Sequence, residues 1–296
     1  MKILVTGSEG MIGRALVADL RSAGHEVRTF DRAAQRRDAP GEHIPGDLRD
    51  IYAVRQAAHG MEAIAHLGAI PGDRPQGSDD VLAVNVQGTW NVLMAAVEAG
   101  VERVVAFSSI NALGCVGGHR PAQYLPIDDA YPRHPFTPYQ LSKHLVEETC
   151  QMFSRKHGLI TVCLRPVGVH TGDYAVSLRS VPDALRADGE KEGYWAYVDV
   201  RDVCDATLRA LTVEGIEHAA FLLSAEDTTQ EALTASLVAS YWPETPWKAP
   251  GREAWLADNP YRTLMDCTQA KQVLGWTPRH SWRTPSNESA SRMEQG

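Results

Sequence analysis

The chain predicts an α/β protein built on a doubly wound parallel sheet, and three observations carry that expectation. Short apolar runs alternate with helix-length amphipathic segments; the runs are apolar on both faces; and the first run feeds directly into a glycine-rich turn. Ile3–Thr6, Val27–Asp31, Ala63–Leu67, Val104–Ser108 and Ile160–Leu164 read as strands buried on both faces, as in a parallel sheet. Between them, helical periodicity runs over Met11–Ala23, Ile51–Ala58, Asp79–Ala99 and Pro138–His157. Strand and helix in repeated alternation imply right-handed crossovers between parallel neighbours.

Beyond Arg165 the pattern loosens. Helix-like Val203–Thr212 and Gln230–Tyr241 and strand-like Ala219–Ser224 are followed by the Pro/Trp-rich stretch Trp242-Pro243-Glu244-Thr245-Pro246-Trp247. We therefore expect residues 1–165, with about 195–225, to form the main domain, and residues 166–194 and 226–283 to form a smaller mixed substrate lobe. Residues 284–296 are polar and lack periodicity, which predicts a flexible tail.

Of 296 residues, 44% are hydrophobic and 22% charged, the profile of a globular protein with a large core. A net charge of −8 argues against a nucleic-acid or anionic-membrane partner, because both favour clustered Lys and Arg. The N-terminus reaches Gly7 after only three consecutive apolar residues, too few for a signal-peptide core or a membrane span. The five cysteines are scattered without metal-ligand or disulfide spacing, so no metal is expected and a cytoplasmic location is.

The first strand runs into Thr6-Gly7-Ser8-Glu9-Gly10-Met11-Ile12-Gly13. In a dinucleotide-binding turn, Gly7 permits the tight bend, Gly10 lets backbone approach a pyrophosphate and Gly13 lets the helix pack on the strand, with Met11 and Ile12 at the anion-facing N-terminus. A bare strand-to-helix turn shows the same three glycines, so the far end of the unit matters. There, the second strand ends in Asp31, eighteen positions after Gly13, where a carboxylate can accept hydrogen bonds from an adenosine ribose. This is a Rossmann pattern. Asp31 favours NAD, because it would repel the 2′-phosphate of NADP. Arg32, with Arg36 and Arg37 near, keeps NADP open as the less favoured cofactor; their plain reading is a solvated loop.

Tyr139-Gln140-Leu141-Ser142-Lys143 places a phenol and an ammonium one helical turn apart, where the charge can lower the phenol pKa from about 10. A phenolate so stabilised can take the proton of a secondary alcohol whose carbon gives up hydride. Chance also produces this spacing on amphipathic surface helices. Upstream, Phe107-Ser108-Ser109-Ile110-Asn111 ends a strand at the carboxyl edge of the sheet, where ligands of such sheets collect, and Ser109 could orient the reacting oxygen there.

With these motifs the chain resembles the extended short-chain dehydrogenase/reductase family of NAD-dependent epimerases and dehydratases. The resemblance rests on the glycine turn, Gly46-Asp47-Leu48, His66-Leu67-Gly68-Ala69, Asn85-x-x-Gly88-Thr89, Ser108-Ser109, Tyr139-x-x-x-Lys143, Leu164-Arg165-Pro166 and Asp199-Val200-Arg201-Asp202-Val203. It implies catalysis by Ser109, Tyr139 and Lys143. Asp47 and Leu48 would border the adenine, Leu67, Gly68 and Ala69 the pyrophosphate side and ribose, and Asn85 would brace the helix of Tyr139. Ser108 and Pro166 join the cofactor set, and Lys143 would also hold the nicotinamide ribose. Asn111, Gly168 and His170 join Ser109 and Tyr139 as expected substrate contacts. A homodimer through helices Asp79–Ala99 and Pro138–His157 is implied as well.

Departures from the family pattern bear on the substrate. Where nucleotide-sugar enzymes of the family carry an Asn after the Leu-Arg pair, this chain has Gly168; their Arg-x-Gly-Asp diphosphate grip is replaced by a stretch ending in Arg262, and Leu113 stands for a tyrosine. His66-Leu67-Gly68 is instead similar to uronate dehydrogenases, while Asp266-x-x-x-Ala270-Lys271-x-x-Leu274-Gly275-Trp276-x-Pro278 resembles the end of sugar epimerases. Three readings stand: an NAD-dependent oxidoreductase acting on a sugar-type alcohol or ketone, a nucleotide-sugar epimerase resembling UDP-glucose 4-epimerase, and, less favoured, a non-catalytic dinucleotide-binding regulator. His66 and Arg165 carry bland readings too, as a hydrogen-bonded scaffold histidine and a buried structural ion pair, and the tryptophans as packing in the small lobe.

Overall fold

The computed structural model describes residues 1–34, 41–72, 77–172, 178 and 182–284, so Arg36, Arg37 and residues 285–296 of the expected tail lie outside the described residues. The chain forms two compact units: Met1–Gly114 with Arg133–Arg165 and Cys204–Phe221, and Cys115–Pro132 with Pro166–Val203 and Leu222–Gly296.

A seven-stranded sheet dominates the first unit. Its strands are β1 (Lys2–Thr6), β2 (Glu26–Asp31), β3 (His43–Pro45), β4 (Ala63–His66), β5 (Arg103–Phe107), β6 (Ile160–Pro166) and β9 (His218–Leu223), in the order β3-β2-β1-β4-β5-β6-β9. The pairs β1/β2, β1/β4, β2/β3, β4/β5 and β5/β6 are parallel, and Thr6 faces both Phe30 and His66 across the sheet, so the carboxyl ends are level. Strand order reverses between β1 and β4, the topological switch point where doubly wound sheets open a crevice. Ile3, Leu4, Val5, Ile64 and Val104 are wholly buried, as strands covered by helices on both faces must be. Three residues of β3 escaped sequence reading because a strand this short shows no period.

Helices α1 (Met11–Ser22), α2 (Ile51–Ala58), α3 (Ser78–Leu82), α4 (Gly88–Ala99) and α5 (Pro138–His157) cover the sheet. Helix α5 begins where sequence places it: the Thr137 hydroxyl accepts from the Gln140 amide at 3.3 Å, Pro138 fills the first turn, and Gly158 at φ 68° closes it. The expected helix Asp79–Ala99 forms, with a π-turn inside it. A π-turn at Ala83–Gln87 separates α3 from α4, and within it the Asn85 amide accepts from Ile70 N at 2.8 Å and donates to Ile70 O at 3.2 Å. One extra residue in the turn aims a polar side chain inward at a point where plain α-helix would aim it elsewhere.

In the second unit β7 (Gly168–His170) pairs in parallel with β8 (Tyr197–Asp199). Helices α6 (Asp183–Glu190), α7 (Val200–Ala210), α8 (Thr234–Tyr241), α9 (Arg252–Leu256) and α10 (Thr268–Leu274) complete the described elements. Helix α8 starts four residues later than the periodicity predicts, because Gln230 is buried and its side-chain amide donates to Glu190 and Thr229, fixing the chain outside helical geometry. Tyr194, Trp195, Tyr241 and Trp242 form an aromatic cluster with centroid separations from 4.9 to 6.1 Å. The Asp202 carboxylate accepts from Arg279 N and His280 N, both at 3.0 Å, while its carbonyl accepts from the Trp276 indole at 2.9 Å. Two of the sequence motifs thereby hold one another. Among the described residues no helix is long and apolar enough to cross a membrane.

Candidate active site

Thr6 ends β1, and Gly7 turns the chain with φ 69°. A Cβ on Gly7 would lie 2.6 Å from Gly68 N, and one on Gly13 would lie 2.2 Å from Gly7 O, so no other residue fits at either position without moving backbone. Gly10 is looser, with a hypothetical Cβ 3.2 Å from Gly7 O; it caps α1 without a side chain, and no acid lies in the first turn. The N–H groups of Met11, Ile12 and Gly13 at this end have no acidic residue in their own first turn, and the dipole there favours an anion. The Ser8 hydroxyl nearby is buried and makes no hydrogen bond among the described residues. This cradle fits a dinucleotide pyrophosphate, and Ser8 was a residue that sequence reading passed over.

Asp31 stands at the end of β2 with one carboxylate oxygen accepting from Glu9 N and the other from Ala33 N, both at 2.9 Å. Its placement beside the glycine turn suits ribose hydroxyls. Arg32 is exposed. Asp47 is forked by Arg49, at 3.0 and 2.7 Å, which holds its carboxyl below the usual range. Leu48 is buried against two glycines: a Cβ on Gly68 would meet Leu48 Cδ1 at 2.7 Å and one on Gly88 would meet Leu48 Cβ at 2.8 Å. Leu67, Gly68 and Ala69 follow β4 half-buried, Leu67 N donating to Thr6 O at 3.1 Å.

At the carboxyl end of β5 the two serines diverge. Ser108 donates to Glu147 Oε1 at 2.6 Å, whereas Ser109 Oγ accepts from the Asn111 amide and side chain, both at 3.2 Å. Glu147 and Arg165, each 1% exposed, form a two-pronged ion pair at 2.8 Å, with Arg133 3.2 Å from the same carboxylate. Burial disfavours the Glu147 charge, but Arg165, Ser108 and Arg133 outweigh it and hold the carboxyl below its usual range. The pair that sequence assigned to scaffold thus joins α5 to β6 behind Ser108.

Lys143 is buried and donates to the Phe107 carbonyl at 2.7 Å, two residues before Ser109, with its Nζ 5.8 Å from the Tyr139 ring centroid. The Tyr139 side chain is half-buried. Asn85 donates to Ser142 Oγ at 3.0 Å, and Ser142 donates to the Tyr139 carbonyl at 2.8 Å. One turn of α5 therefore carries the phenol, the ammonium and the anchor of the helix. Pro166 is buried at the end of β6, and in the second unit Gly168 and His170 lie on β7 opposite Tyr197 and Asp199. Burial pushes the His170 pKa down to about 4 against the pull of Asp199, so its imidazole is neutral near pH 7.

The sequence profile of the NAD dependent epimerase/dehydratase family matches residues 3–221. A uronate dehydrogenase of Pseudomonas syringae pv. tomato is 32% identical over 167 residues, which cover 55% of this chain and 58% of that protein. Sterol demethylase protein B of Methylococcus capsulatus is 31% identical over 238 residues, covering 77% of this chain and 71% of its own length. Among solved structures, a short-chain dehydrogenase/reductase superfamily protein from Agrobacterium tumefaciens with bound NAD superposes at a TM-score of 0.75, with 26% identity and coverage of 100% of this chain and 98% of that one. The matched profile spans the glycine turn, the Tyr139–Lys143 helix and all or most of each strand of the main sheet, and the chain belongs to the NAD dependent epimerase/dehydratase family, a group of NAD-using oxidoreductases and epimerases within the extended short-chain dehydrogenases/reductases.

Proposed function

We propose that this enzyme is an NAD-dependent oxidoreductase that makes a net hydride transfer at a secondary alcohol or ketone of a sugar or sugar derivative. The observation that carries the reading is the placement of Lys143 on the Phe107 carbonyl, beside the Tyr139 ring and at the strand end that bears Ser109. NAD, when bound, accepts or returns the hydride. The phenolic oxygen of Tyr139 takes the alcohol proton as the carbonyl forms and gives it back in the reverse direction. The Lys143 ammonium stabilises negative charge on that oxygen, and the Ser109 hydroxyl donates to the substrate oxygen and orients it. Gly7, Gly10, Met11, Ile12 and Gly13 would hold the pyrophosphate and Asp31 the adenosine ribose. Asp47 and Leu48 would border the adenine, and Leu67, Gly68 and Ala69 the pyrophosphate side and ribose. Ser108 and Asn85 support this set through Glu147 and Ser142, and Pro166 borders the nicotinamide.

A sugar acid is the substrate class we favour, with Asn111 as its contact beside Ser109. Support comes from the uronate dehydrogenase relative and from Arg262, the one residue that stood in for a diphosphate grip. Its guanidinium lies 3.8 Å from the Trp255 ring centroid and donates to Trp255 O at 3.1 Å. A cation so engaged speaks against the nucleotide-sugar epimerase. We further propose a homodimer through α4 and α5, on which Trp90 is 46% and Leu141 38% exposed; light scattering that reports a monomer would refute it.

Native mass spectrometry of the purified protein tests the choice between readings. A dehydrogenase releases its cofactor, so the expected spectrum is that of the protein without NAD, with NAD added back reversibly. Protein that retains stoichiometric NAD through purification would favour the epimerase.

A further inference from the structure

His66 is buried with both ring nitrogens engaged: Nδ1 lies 2.7 Å from Thr6 Oγ1, and Nε2 lies 3.0 Å from Thr89 Oγ1. The neighbours fix which atom donates in each bond. Thr89 donates its single hydroxyl hydrogen to the Asn85 carbonyl at 2.6 Å, so its oxygen can only accept from Nε2, which must carry the proton. Nδ1 is then an acceptor. Thr6 Oγ1 accepts from Gly68 N at 3.2 Å, which leaves the Thr6 hydrogen for Nδ1. The imidazole is neutral, in keeping with a pKa pushed down to about 3 by burial and further by the Lys143 charge. Past Asn85 the same polarity continues, from its side-chain amide to Ser142 Oγ at 3.0 Å and from Ser142 to the Tyr139 carbonyl at 2.8 Å.

We infer that His66 is a positioning residue, which sets the Tyr139 turn relative to the carboxyl end of β1 through Thr89, Asn85 and Ser142. An apolar side chain there would leave the Thr6 hydroxyl hydrogen without its Nδ1 acceptor and the Thr89 oxygen without its Nε2 donor, so the hydroxyl that donates to the Asn85 carbonyl of the π-turn would lose the bond that orients it. The inference rests on Tyr139 as the acid-base group. It differs from a scaffold role in requiring an effect at the Tyr139 turn in protein that remains folded.

The test uses His66→Phe, Ser142→Ala and the double variant, each assayed well below its melting temperature, with Tyr139→Phe as control and NAD plus a free hexuronate as the probe. We expect His66→Phe to keep NAD affinity within about threefold while kcat falls about tenfold or more, since small misplacements of an acid-base group cost at least that much. The double variant falls no further than the worse single one, because both break one chain. His66→Gln, which restores the donor to Thr89 alone, recovers part of the loss. Without any substrate, amide hydrogen exchange over residues 141–143 rises in His66→Phe while that over residues 150–157 does not. Should His66→Phe not fold, Thr89→Val breaks the same link with the same expectations. Unchanged kcat and exchange in a folded variant, or additive losses, overturn the inference. Turnover that survives Tyr139→Phe overturns the acid-base reading and the inference together, whereas an inactive Tyr139→Phe beside a fully active His66→Phe overturns the inference alone.

Discussion

Lys143 donates to the backbone carbonyl of Phe107 at 2.7 Å from a position only 4% exposed. Its hydrogen-bond acceptor is a neutral carbonyl, so burial dominates and pushes the ammonium pKa down to about 8, with Cys163 and Glu147 pulling it partly back. The group remains charged near neutrality, which the proposed chemistry needs, and the fold bears the cost of holding it so.

That cost has a measurable pH dependence. Lys143 has a lower pKa folded than unfolded, so between about pH 8 and the ordinary lysine value the unfolded chain binds more protons and stability rises with pH. Chemical denaturation of the wild type and of Lys143→Met should therefore diverge as pH rises through this window, by up to about 3 kcal/mol in favour of the wild type. A constant difference from pH 7 to 10 would show that burial does not perturb Lys143. Turnover by Lys143→Met should be nearly absent throughout.

Tyr139→Phe removes one oxygen from a half-buried ring and leaves the Ser142 bond to its carbonyl in place. Turnover should fall by about two to four orders of magnitude, the usual worth of a positioned acid-base group. NAD affinity, read by quenching of intrinsic fluorescence, should stay within about threefold. Lost cofactor binding, or retained turnover, would remove Tyr139 from its assigned role.

Asp31 accepts from Glu9 N and Ala33 N, which fixes its carboxylate beside the glycine turn. Asp31→Ala should weaken NAD binding and relieve repulsion of the NADP 2′-phosphate, shifting the preference between them by about tenfold or more. If the ratio of dissociation constants stays where it was, the carboxylate does not face the ribose.

The buried Glu147–Arg165 pair makes a stability prediction. Glu147→Ala removes the two 2.8 Å bonds that the Arg165 guanidinium makes to the carboxylate, and breaking a buried pair by removing one partner costs about 3–5 kcal/mol. The melting temperature should drop by about 10 °C for a chain of this size. A drop of only a degree or two would mean that water or a shifted Arg133 takes over.

Much of this site was legible in the sequence because it rests on chemistry that only a few residue types supply. Gly7 and Gly13 are demanded by close backbone approach, and Tyr139 and Lys143 by spacing along one helix, so local pattern sufficed. The strands β1, β2, β4, β5 and β6 announced themselves as apolar runs. What escaped reading depends on atoms without a residue signature or on partners far away in sequence. The Phe107 carbonyl that receives Lys143 is a backbone group, and Glu147 is 18 residues from Arg165. The π-turn at Asn85 follows from bonds to Ile70 and Ser142, which no 3.6-residue period encodes. His66 was visible as a histidine, but its role lies in Thr6 and Thr89, 60 residues back and 23 forward.

The proposed function requires net hydride transfer to added NAD from a free sugar alcohol. The measurement is the initial rate of NADH formation by the purified enzyme with NAD and each of a panel: free hexuronates, neutral hexoses, a sterol alcohol and UDP-sugars. We expect NADH in proportion to a free hexuronate consumed, abolished by Tyr139→Phe. Interconversion of UDP-sugars without net NADH, or NADH from the sterol alcohol alone, would contradict it.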